Sequence, residues 1–289
     1  TAPLRDTPFA VAWWGDSQVG PTVLQQLIPI MLARGVDWMG VAGDLTSNGN
    51  ALYDWHNYWF KALEFQNIAQ TRPALFARGN HDGEYALSYA YSALPGNESW
   101  FAFDYGNSRF IFLDTEASTS VSPEQYSWLT NELARPGTQQ AAFRIVCFHK
   151  PPYVNLWDGG GYTGEDWVQN DWVPLFTQKN VDLVINGHMH AYQRGATNGV
   201  MYVVSGGGGG ALDTQIVASW PFVQVEYIQH HFDLMKINGA TLSWETYNTS
   251  NQLLDMFTLP SRVPVVGWQT TVPVGGALML TVAGKPGTS

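Results

Sequence analysis

Five apolar runs, far apart in the chain, each end in a short polar segment. Each run has the length and the aliphatic or aromatic content of a buried strand. The runs cover residues 9–14, 36–42, 73–77, 143–148 and 181–185. The segments that follow them are Gly15-Asp16-Ser17-Gln18, Gly43-Asp44-Leu45, Gly79-Asn80-His81-Asp82, His149-Lys150-Pro151-Pro152-Tyr153 and Gly187-His188-Met189-His190. This layout restricts the chain to folds in which several buried strands end at one edge.

The polar segments carry carboxylates, an amide and imidazoles, which are common donor groups in metal sites. Side chains at strand ends sit on a rigid scaffold and converge at one edge of a sheet. A carboxylate that bridges two ions about 3.5 to 4 Å apart partly cancels their repulsion. His188 and His190 are two residues apart, so in an extended segment they project from one face and can serve neighbouring ions. The sequence therefore predicts a site for two metals.

Strand and helix signals alternate through the first two thirds of the chain and then give way to strands alone. This order predicts an α/β fold, a two-sheet β-sandwich flanked by helices. We expect one domain over residues 1–260 and a tail over 261–289 with two extra strands packed on the domain. The predicted helices cover residues 21–34, 52–68, 123–134 and 163–178. Beyond the five runs, the predicted strands cover 100–103, 109–113, 200–205, 223–228, 231–237, 241–247 and 253–259.

Composition excludes several classes of protein. The net charge of −10 argues against a nucleic-acid-binding surface, because both partners would be anionic. No apolar stretch approaches the ~18 residues of a transmembrane helix, so we expect no membrane span. Charged residues make up only 13% of the chain, which favours a secreted or periplasmic protein. The single cysteine, Cys147, is interpreted as a small buried hydrophobe, and the oligomeric state is left open.

The motifs together resemble the calcineurin-like metallophosphoesterase family. Residues 187–194, Gly-His-Met-His-Ala-Tyr-Gln-Arg, and residues 149–153 look most like purple acid phosphatase-type members. The resemblance covers roughly residues 9 to 260, with five motifs in the family's order. It implies the four-layer α/β/β/α form of the sandwich, a phosphate-ester substrate and a dinuclear metal centre.

The resemblance also implies a role for each polar residue. Asp44 bridges both ions; Asp16 and His190 bind the first; Asn80, His149 and His188 bind the second. His81 lies beside the substrate and helps to protonate the leaving oxygen or to steady the developing charge.

The roles of the neighbouring residues are less specified. Asp82 is predicted either to act in catalysis by orienting the His81 imidazole or to cap a helix. Together with Asn80 and His81, Tyr153 and Trp157 are the predicted substrate contacts. The glycine-rich segment from Trp157 is a candidate mobile lid. The Gly206–Gly210 run is either a flexible linker or, as its place after a strand suggests, a close-packed loop near the metals.

Two positions depart from the family pattern. Many members have histidine two residues after the first aspartate, where this chain has Gln18, and purple members have tyrosine where it has Ser47. Gln18 is predicted to bind through its amide oxygen, with a hydrogen-bond donor behind the ligands as the alternative. Hard oxygen ligands favour Mn, Mg or Ca over tightly held Fe(III), although Zn and Fe also occur in such sites. We therefore expect two divalent ions, a weak first site and no purple colour.

The function predicted from the sequence is metal-dependent hydrolysis of phosphate monoesters. A phosphodiesterase acting on nucleotides or phospholipid headgroups is the alternative within the family. A non-catalytic protein that binds a phosphorylated or carbohydrate ligand is the alternative of another class, because the first metal lacks two of the family's ligands. The presence of His81, which binds no metal, favours the enzyme.

Overall fold

The chain folds into two mixed β-sheets with flanking helices, as predicted. A computed structural model gives this fold and describes residues 3–5, 7–117, 120–268 and 280–283. Within these residues the strands are, in chain order, β1 (Phe9–Trp14), β2 (Trp38–Val41), β3 (Ala74–Phe76), β4 (Phe101–Tyr105), β5 (Ser108–Phe112), β6 (Phe143–Cys147), β7 (Leu183–Asn186), β8 (Tyr192–Thr197), β9 (Val200–Ser205), β10 (Val223–Tyr227), β11 (His231–Asn238), β12 (Thr241–Asn248), β13 (Leu253–Pro260), β14 (Val265–Trp268) and β15 (Leu280–Ala283).

The two large sheets have parallel centres. The six-stranded sheet has the order β13-β12-β11-β1-β2-β3, and β1, β2 and β3 run parallel. The seven-stranded sheet has the order β10-β8-β9-β7-β6-β5-β4, in which β5, β6, β7 and β9 run parallel. All five polar segments thus follow parallel strands: β1, β2 and the edge strand β3 of one sheet, and β6 and β7 of the other. The strand β8, which begins directly after the histidine pair, was missed by the sequence analysis.

Two of the predicted helices differ from the helices observed. The predicted helix over 52–68 is a run of α, π and 3-10 segments, because Gln66 and Asn67 adopt left-handed φ angles of 54° and 55°. The predicted helix over 163–178 begins later, since Gly164 has φ of 120° and the Thr163 carbonyl accepts a hydrogen bond from Val154. The helices are Thr22–Ala33, Leu52–Asp54, Trp55–Phe60, Lys61–Leu63, Phe65–Asn67, Ile68–Thr71, Ala86–Ala90, Pro123–Ala134, Pro136–Gln139, Val168–Trp172 and Val173–Gln178.

The central strands are buried on both faces, which explains their unbroken apolar sequences. In β5, Phe110 and Phe112 point into the core between the sheets, whereas Ile111 points to the outer helices. Successive side chains of a strand face opposite ways, so each central strand contributes to two cores. Trp13 of β1 stacks on Phe112 with ring centroids 6.0 Å apart, which locks the two sheets face to face.

The C-terminal strands β14 and β15 pair as a separate antiparallel two-stranded sheet. The sequence analysis placed two strands in this tail, although their packing on the domain and the boundary at residue 260 remain predictions. Residues 269–279 and 284–289 of that tail lie outside the described part of the chain. No helix in the described part is long and apolar enough to cross a membrane.

Gly40 provides a test of how tightly the sheets pack. A Cβ at Gly40 would lie 2.3 to 2.6 Å from ring atoms of the fully buried Trp13. We expect Gly40→Ala to lower the free energy of unfolding by about 1–3 kcal/mol, the usual cost of overpacking, as measured by urea denaturation. Gly137→Ala is the matched control, since a Cβ there meets only Arg135 Nε at 4.0 Å. Equal stability of the two variants would contradict the packing argument.

Candidate metal centre

The ends of β1, β2, β3, β6 and β7 bring the predicted donor side chains together at one edge of the sandwich. Two groups of donors form there, and the atoms of each group lie within 4.8 Å of one another. One group contains Asp44, His149 and His188, and the other contains Asp16, Asp44 and His190. Asp44 belongs to both groups, so its carboxylate lies between them.

His149 has its tautomer fixed by the backbone. Its Nδ1–H donates to the Ala42 carbonyl at 2.7 Å, which leaves the Nε2 lone pair facing the site. Around that Nε2 lie Asn80 Oδ1 at 3.1 Å, His188 Nδ1 at 3.2 Å and Asp44 Oδ2 at 3.3 Å. Once His149 Nε2 has lost its proton, four atoms that carry lone pairs converge here, an arrangement that a cation would stabilise. This donor set suits a divalent metal.

The other group is arranged in the same way around Asp16. His190 Nδ1–H donates to the Ala211 carbonyl at 2.6 Å, and its Nε2 lies 3.5 Å from Asp16 Oδ1. Both oxygens of Asp16 also accept the backbone N–H of His188, at 3.0 and 2.9 Å. The Asp16 carboxylate therefore holds the loop of the other group's histidine in place as well as facing His190.

The charges in this site are strongly coupled. Burial lowers the pKa of His149, but the Asp44 carboxylate outweighs burial and raises that pKa to about 10. Burial raises the pKa of Asp44, yet His149 brings it down to about 2. The pKa of His190 rises to about 9, because its hydrogen bond to Asp16 outweighs burial. Burial and the nearby His149 hold the pKa of His188 well below 6.5. The neighbouring carboxylates thus favour a proton on Nε2 of His149 and of His190, which a metal ion would have to displace before these nitrogens could bind it.

Four of the six donors directly follow a glycine, which allows their loops to approach closely. A Cβ at Gly79 would lie 2.1 Å from Asp44 Oδ1, and a Cβ at Gly187 would lie 2.6 Å from Asp16 Oδ2. Any larger residue would push the neighbouring donor out of place. The repeated glycine of the sequence motifs is therefore a packing requirement of the site.

The Gly206–Gly210 run is a close-packed loop next to the donors, as predicted. A Cβ at Gly206 would lie 2.9 Å from Asp16 Oδ2, and one at Gly210 would lie 2.5 Å from His190 Cε1. The Gly208 and Gly210 N–H groups donate to the carbonyls of Gly15 and Asp16 at 2.9 and 2.8 Å. The loop thus links the segment that follows β1 to the segment that carries His190.

The histidine pair does not lie in an extended segment, and that prediction was wrong. His188 has a left-handed φ of 70°, and Met189 N–H donates to the Gly187 carbonyl at 2.9 Å. Tight turns send the two imidazoles to different donor groups. Asp16 and Asp44 also have left-handed φ angles, 61° and 53°, which cost on the order of 1–3 kcal/mol each and concentrate at functional sites.

His81 and Asp82 have separate positions. The His81 Nδ1–H donates to the Ser47 carbonyl at 2.9 Å, which turns its Nε2 toward the cleft. The Asp82 carboxylate is fully buried and accepts the backbone N–H groups of Leu45, Thr46 and Gly79 at 2.9 to 3.1 Å. Asp82 therefore ties the bridging-aspartate loop to the Asn80 loop, and the His81 ring is oriented by Ser47 instead.

Gln18 and Ser47 occupy the two positions that depart from the family pattern. Gln18 is 5% exposed, and its Oε1 has no hydrogen-bond partner among the described residues. A buried amide oxygen without a donor fits a cation ligand. The Ser47 hydroxyl accepts the Val19 N–H at 3.1 Å, so this side chain braces a loop.

The donors open into a cleft of about 240 Å³ lined by residues of both groups. Trp157 lines this cleft, and its ring lies 4.7 Å from the His188 ring between centroids. Tyr153 is not brought to the cleft, because its ring packs against Tyr202, Trp220 and Phe222 with centroids 4.9 to 5.6 Å apart. The full lining is Asp44, Asn80, His81, Trp157, His188, His190 and Asp213.

The segment proposed as a mobile lid is held by several hydrogen bonds. Trp157 N–H donates to the Gln215 carbonyl at 2.9 Å, and the Asp158 carboxylate accepts Thr214 N–H and Gln215 N–H at 2.7 and 2.8 Å. Leu156 pairs with Ile216 in an isolated antiparallel bridge. These bonds hold Leu156, Trp157 and Asp158 as one wall of the cleft, and the mobility of the three glycines that follow stays a prediction.

Comparison with known families decides the classification. The family model for calcineurin-like phosphoesterases matches residues 11–192, which include every candidate ligand. The chain belongs to this family. The resemblance inferred from the motifs is therefore confirmed.

Purple acid phosphatases are among the relatives of this phosphoesterase-family chain. It is 28% identical to purple acid phosphatase 15 of Arabidopsis thaliana over 53% of this chain and 32% of that protein. It is 25% identical to the probable inactive purple acid phosphatase 24 of the same plant, over 78% of this chain and 43% of that protein. The chain thus spans less than half the length of these two relatives.

Solved structures support the fold. A purple acid phosphatase from yellow lupin seeds superposes with a TM-score of 0.77 at 21% identity, covering 90% of this chain and 55% of that one. A dimetal phosphatase from Danio rerio superposes with a TM-score of 0.59 at 14% identity, covering 88% of this chain and 99% of that one.

Asp213 was missed by the sequence analysis. It lines the cleft, yet it belongs to none of the five motifs and lies 23 residues beyond His190. The one signal that pointed toward it was the preceding Gly206–Gly210 run, which implied a loop packed against the site.

The raised histidine pKa values predict proton release when metal binds. Metal ligands must be neutral imidazoles, so at pH 7 binding should release nearly two protons, from His149 and His190. Both pKa values are raised, so the stability these charges give the metal-free protein is present below pH 6.5 and is lost as pH rises through about 9 and 10. Metal affinity should rise over the same range.

Calorimetric titration with Mn²⁺ in buffers of different ionisation enthalpy measures this release. We expect His190→Gln to remove about one of the protons and His56→Gln, which changes an exposed histidine bonded to Tyr91, to remove none. Binding without proton release at pH 7 would contradict the assigned charges.

Proposed function

We propose that this protein hydrolyses phosphate monoesters at a dinuclear metal centre. The observation that carries the proposal is the pair of donor groups that share Asp44 beneath a cleft lined by His81. A single buried carboxylate facing two imidazole groups is the arrangement that two neighbouring cations require. In this proposal Asp16 and His190 hold the first ion, and Asn80, His149 and His188 hold the second.

The proposed ions are divalent and include manganese or magnesium. The first group offers two carboxylates and one imidazole, a set rich in hard oxygen donors. Gln18, whose backbone N–H donates to the Asp44 carbonyl at 3.1 Å and whose Oε1 is buried without a hydrogen-bond donor, would add an amide oxygen. Ser47 stands where a phenolate would be needed for charge transfer to iron. When bound, the ions would act as Lewis acids on the phosphoryl oxygens. They would also offset the net charge of −10, which otherwise repels an anionic substrate.

His81 is the proposed proton donor. Because its Nδ1–H is committed to the Ser47 carbonyl, the other ring nitrogen, Nε2, is the one presented to the substrate. The backbone N–H of His81 donates to Asp44 Oδ1 at 2.8 Å, so the ring is placed relative to the bridging carboxylate. Protonated Nε2 would pass its proton to the leaving oxygen.

The cleft favours a monoester over a diester. Its volume is only about 240 Å³, and the backbone of Trp157, which lines it, is hydrogen-bonded to Gln215, so a second ester substituent is the less favoured fit. A phosphodiesterase acting on nucleotides or phospholipid headgroups remains the second candidate. Low charge content supports a secreted or periplasmic location for either activity.

A binding protein without catalysis is the candidate of another class. Purple acid phosphatase relatives described as probable inactive members support it. The position of His81 at the cleft argues against it, because a binding site has no use for a proton donor whose ring is held in one orientation.

Metal content tests the proposed ions. After Mn²⁺ loading and mild dialysis, we expect fewer than two ions per chain by elemental analysis, because the first group is the weaker, and no visible absorption band. Gln18→Ala should reduce the retained metal further, whereas Gln139→Ala, which alters a glutamine hydrogen-bonded to Leu133, should not. Two tightly held irons with a purple colour would contradict the proposal.

Replacement of His81 tests catalysis. We expect His81→Ala to lower kcat for p-nitrophenyl phosphate about 10²- to 10⁴-fold at saturating Mn²⁺ while Mn²⁺ binding is unchanged, since the ring lies outside both donor groups. His56→Ala is the control. Equal residual hydrolysis by wild type and His81→Ala would favour the binding protein. Faster hydrolysis of bis(p-nitrophenyl) phosphate than of the monoester would favour the phosphodiesterase.

A further inference from the structure

Asp213 joins two parts of the cleft that are distant in sequence. Its carboxylate is 7% exposed. Oδ2 accepts the N–H of His190 at 2.7 Å, and Oδ1 accepts the N–H of Asp158 at 2.8 Å. One buried side chain is therefore hydrogen-bonded both to the backbone of a candidate ligand and to the backbone of the residue after Trp157.

Residues 211–213 hold His190 through three hydrogen bonds. Asp213 N–H donates to the His190 carbonyl at 3.1 Å, its carboxylate accepts the His190 N–H, and the Ala211 carbonyl accepts the ring Nδ1–H at 2.6 Å. The backbone and ring direction of His190 are thus both set by residues 211–213. Groups that orient a ligand in this way commonly change metal affinity when they are removed.

The other oxygen of Asp213 holds the Trp157 wall. Beyond the bond to Asp158, this wall is held by Gln215 and by the Asp158 carboxylate, which accepts from Thr214 and Gln215. The Trp157 ring rests on His188 and on Tyr162, with centroids 4.7 and 4.9 Å away. The Trp157 wall therefore contacts the second donor group, through His188, whereas Asp213 is hydrogen-bonded to the first, through His190.

We propose that Asp213 is a positioning residue that fixes the distance between the Trp157 wall and His190, and thereby sets both the affinity of the first ion and the preference for phosphate esters with a flat aromatic leaving group. Trp157 offers such a group an aromatic surface in the cleft, beside the ring of the candidate ligand His188. The inference rests on the proposed metal-dependent function. It adds a residue and a substrate class that the motifs do not contain.

Asp213→Asn is the test variant, because it keeps the side-chain size and removes one acceptor. The new amide N–H would face an N–H of either His190 or Asp158, so one of the two bonds must break. Asp104→Asn is the matched control, because it makes the same chemical change on an exposed side chain. Asp104 lies on β4, an edge strand of the seven-stranded sheet that also contains β7 and β8, the strands before and after His190. Folding is checked by thermal unfolding of both variants.

Two readouts are measured on the full chain. Free Mn²⁺ followed by electron paramagnetic resonance gives the two stepwise dissociation constants, and we expect one to weaken about 10- to 100-fold in Asp213→Asn. The ratio of kcat/KM for p-nitrophenyl phosphate to that for glycerol phosphate should fall roughly two- to tenfold, because the aromatic contact is lost. Asp104→Asn should match wild type in both.

The outcomes separate the two levels of inference. If wild type binds two Mn²⁺ ions but Asp213→Asn leaves either readout unchanged, the positioning role is wrong and the proposed function stands. If wild type binds no Mn²⁺, the proposed function fails and this inference falls with it. Should Asp213→Asn not fold, Asp158→Ala loosens the same wall from its exposed side and must shift the substrate ratio in the same direction.

Discussion

The Asp44 carboxylate is the interaction on which the site depends. One of its oxygens accepts the His81 N–H, and the other faces His149 Nε2 at 3.3 Å. It lies in the dry interior of the sandwich edge, where charges interact strongly and neither partner can be left alone. Asp82 then fixes the loop that carries Asp44 by accepting its following N–H groups. This pair of buried carboxylates thus joins the loop of Asn80 and the ring of His149 to the bridging carboxylate, whereas Asp16 holds the His188 loop.

Much of the fold followed from patterns that are local in sequence. The strand β1 was predicted at its observed bounds, and β9 likewise, because both are short apolar runs closed by glycine. The helix Pro123–Ala134 was predicted at its observed bounds as well, and Ser122 Oγ caps its first turn by accepting the Gln125 N–H at 3.3 Å. These features depend on neighbouring residues alone, so the sequence contains the information that determines them.

The errors arose where distant contacts override local preference. The histidine pair was expected to be extended, yet the Asp16 carboxylate captures the His188 N–H and imposes a left-handed turn. The start of the segment from Trp157 is held by bonds from residues about 55 positions later, which its three successive glycines did not indicate, while the mobility of those glycines stays a prediction. Asp213 itself could not be found, because nothing in its own neighbourhood distinguishes it from a surface aspartate.

The six donor side chains are divided between the two sheets. Asp16, Asp44 and Asn80 follow strands of the six-stranded sheet, whereas His149, His188 and His190 follow strands of the seven-stranded one. An ion bound by donors from both sheets would consequently cross-link the two layers. A displacement of one sheet along the other by a single residue, about 3.3 Å, would separate the side chains of both donor groups. Metal coordination would then be lost when the layers slip, while the strands within each sheet are still paired.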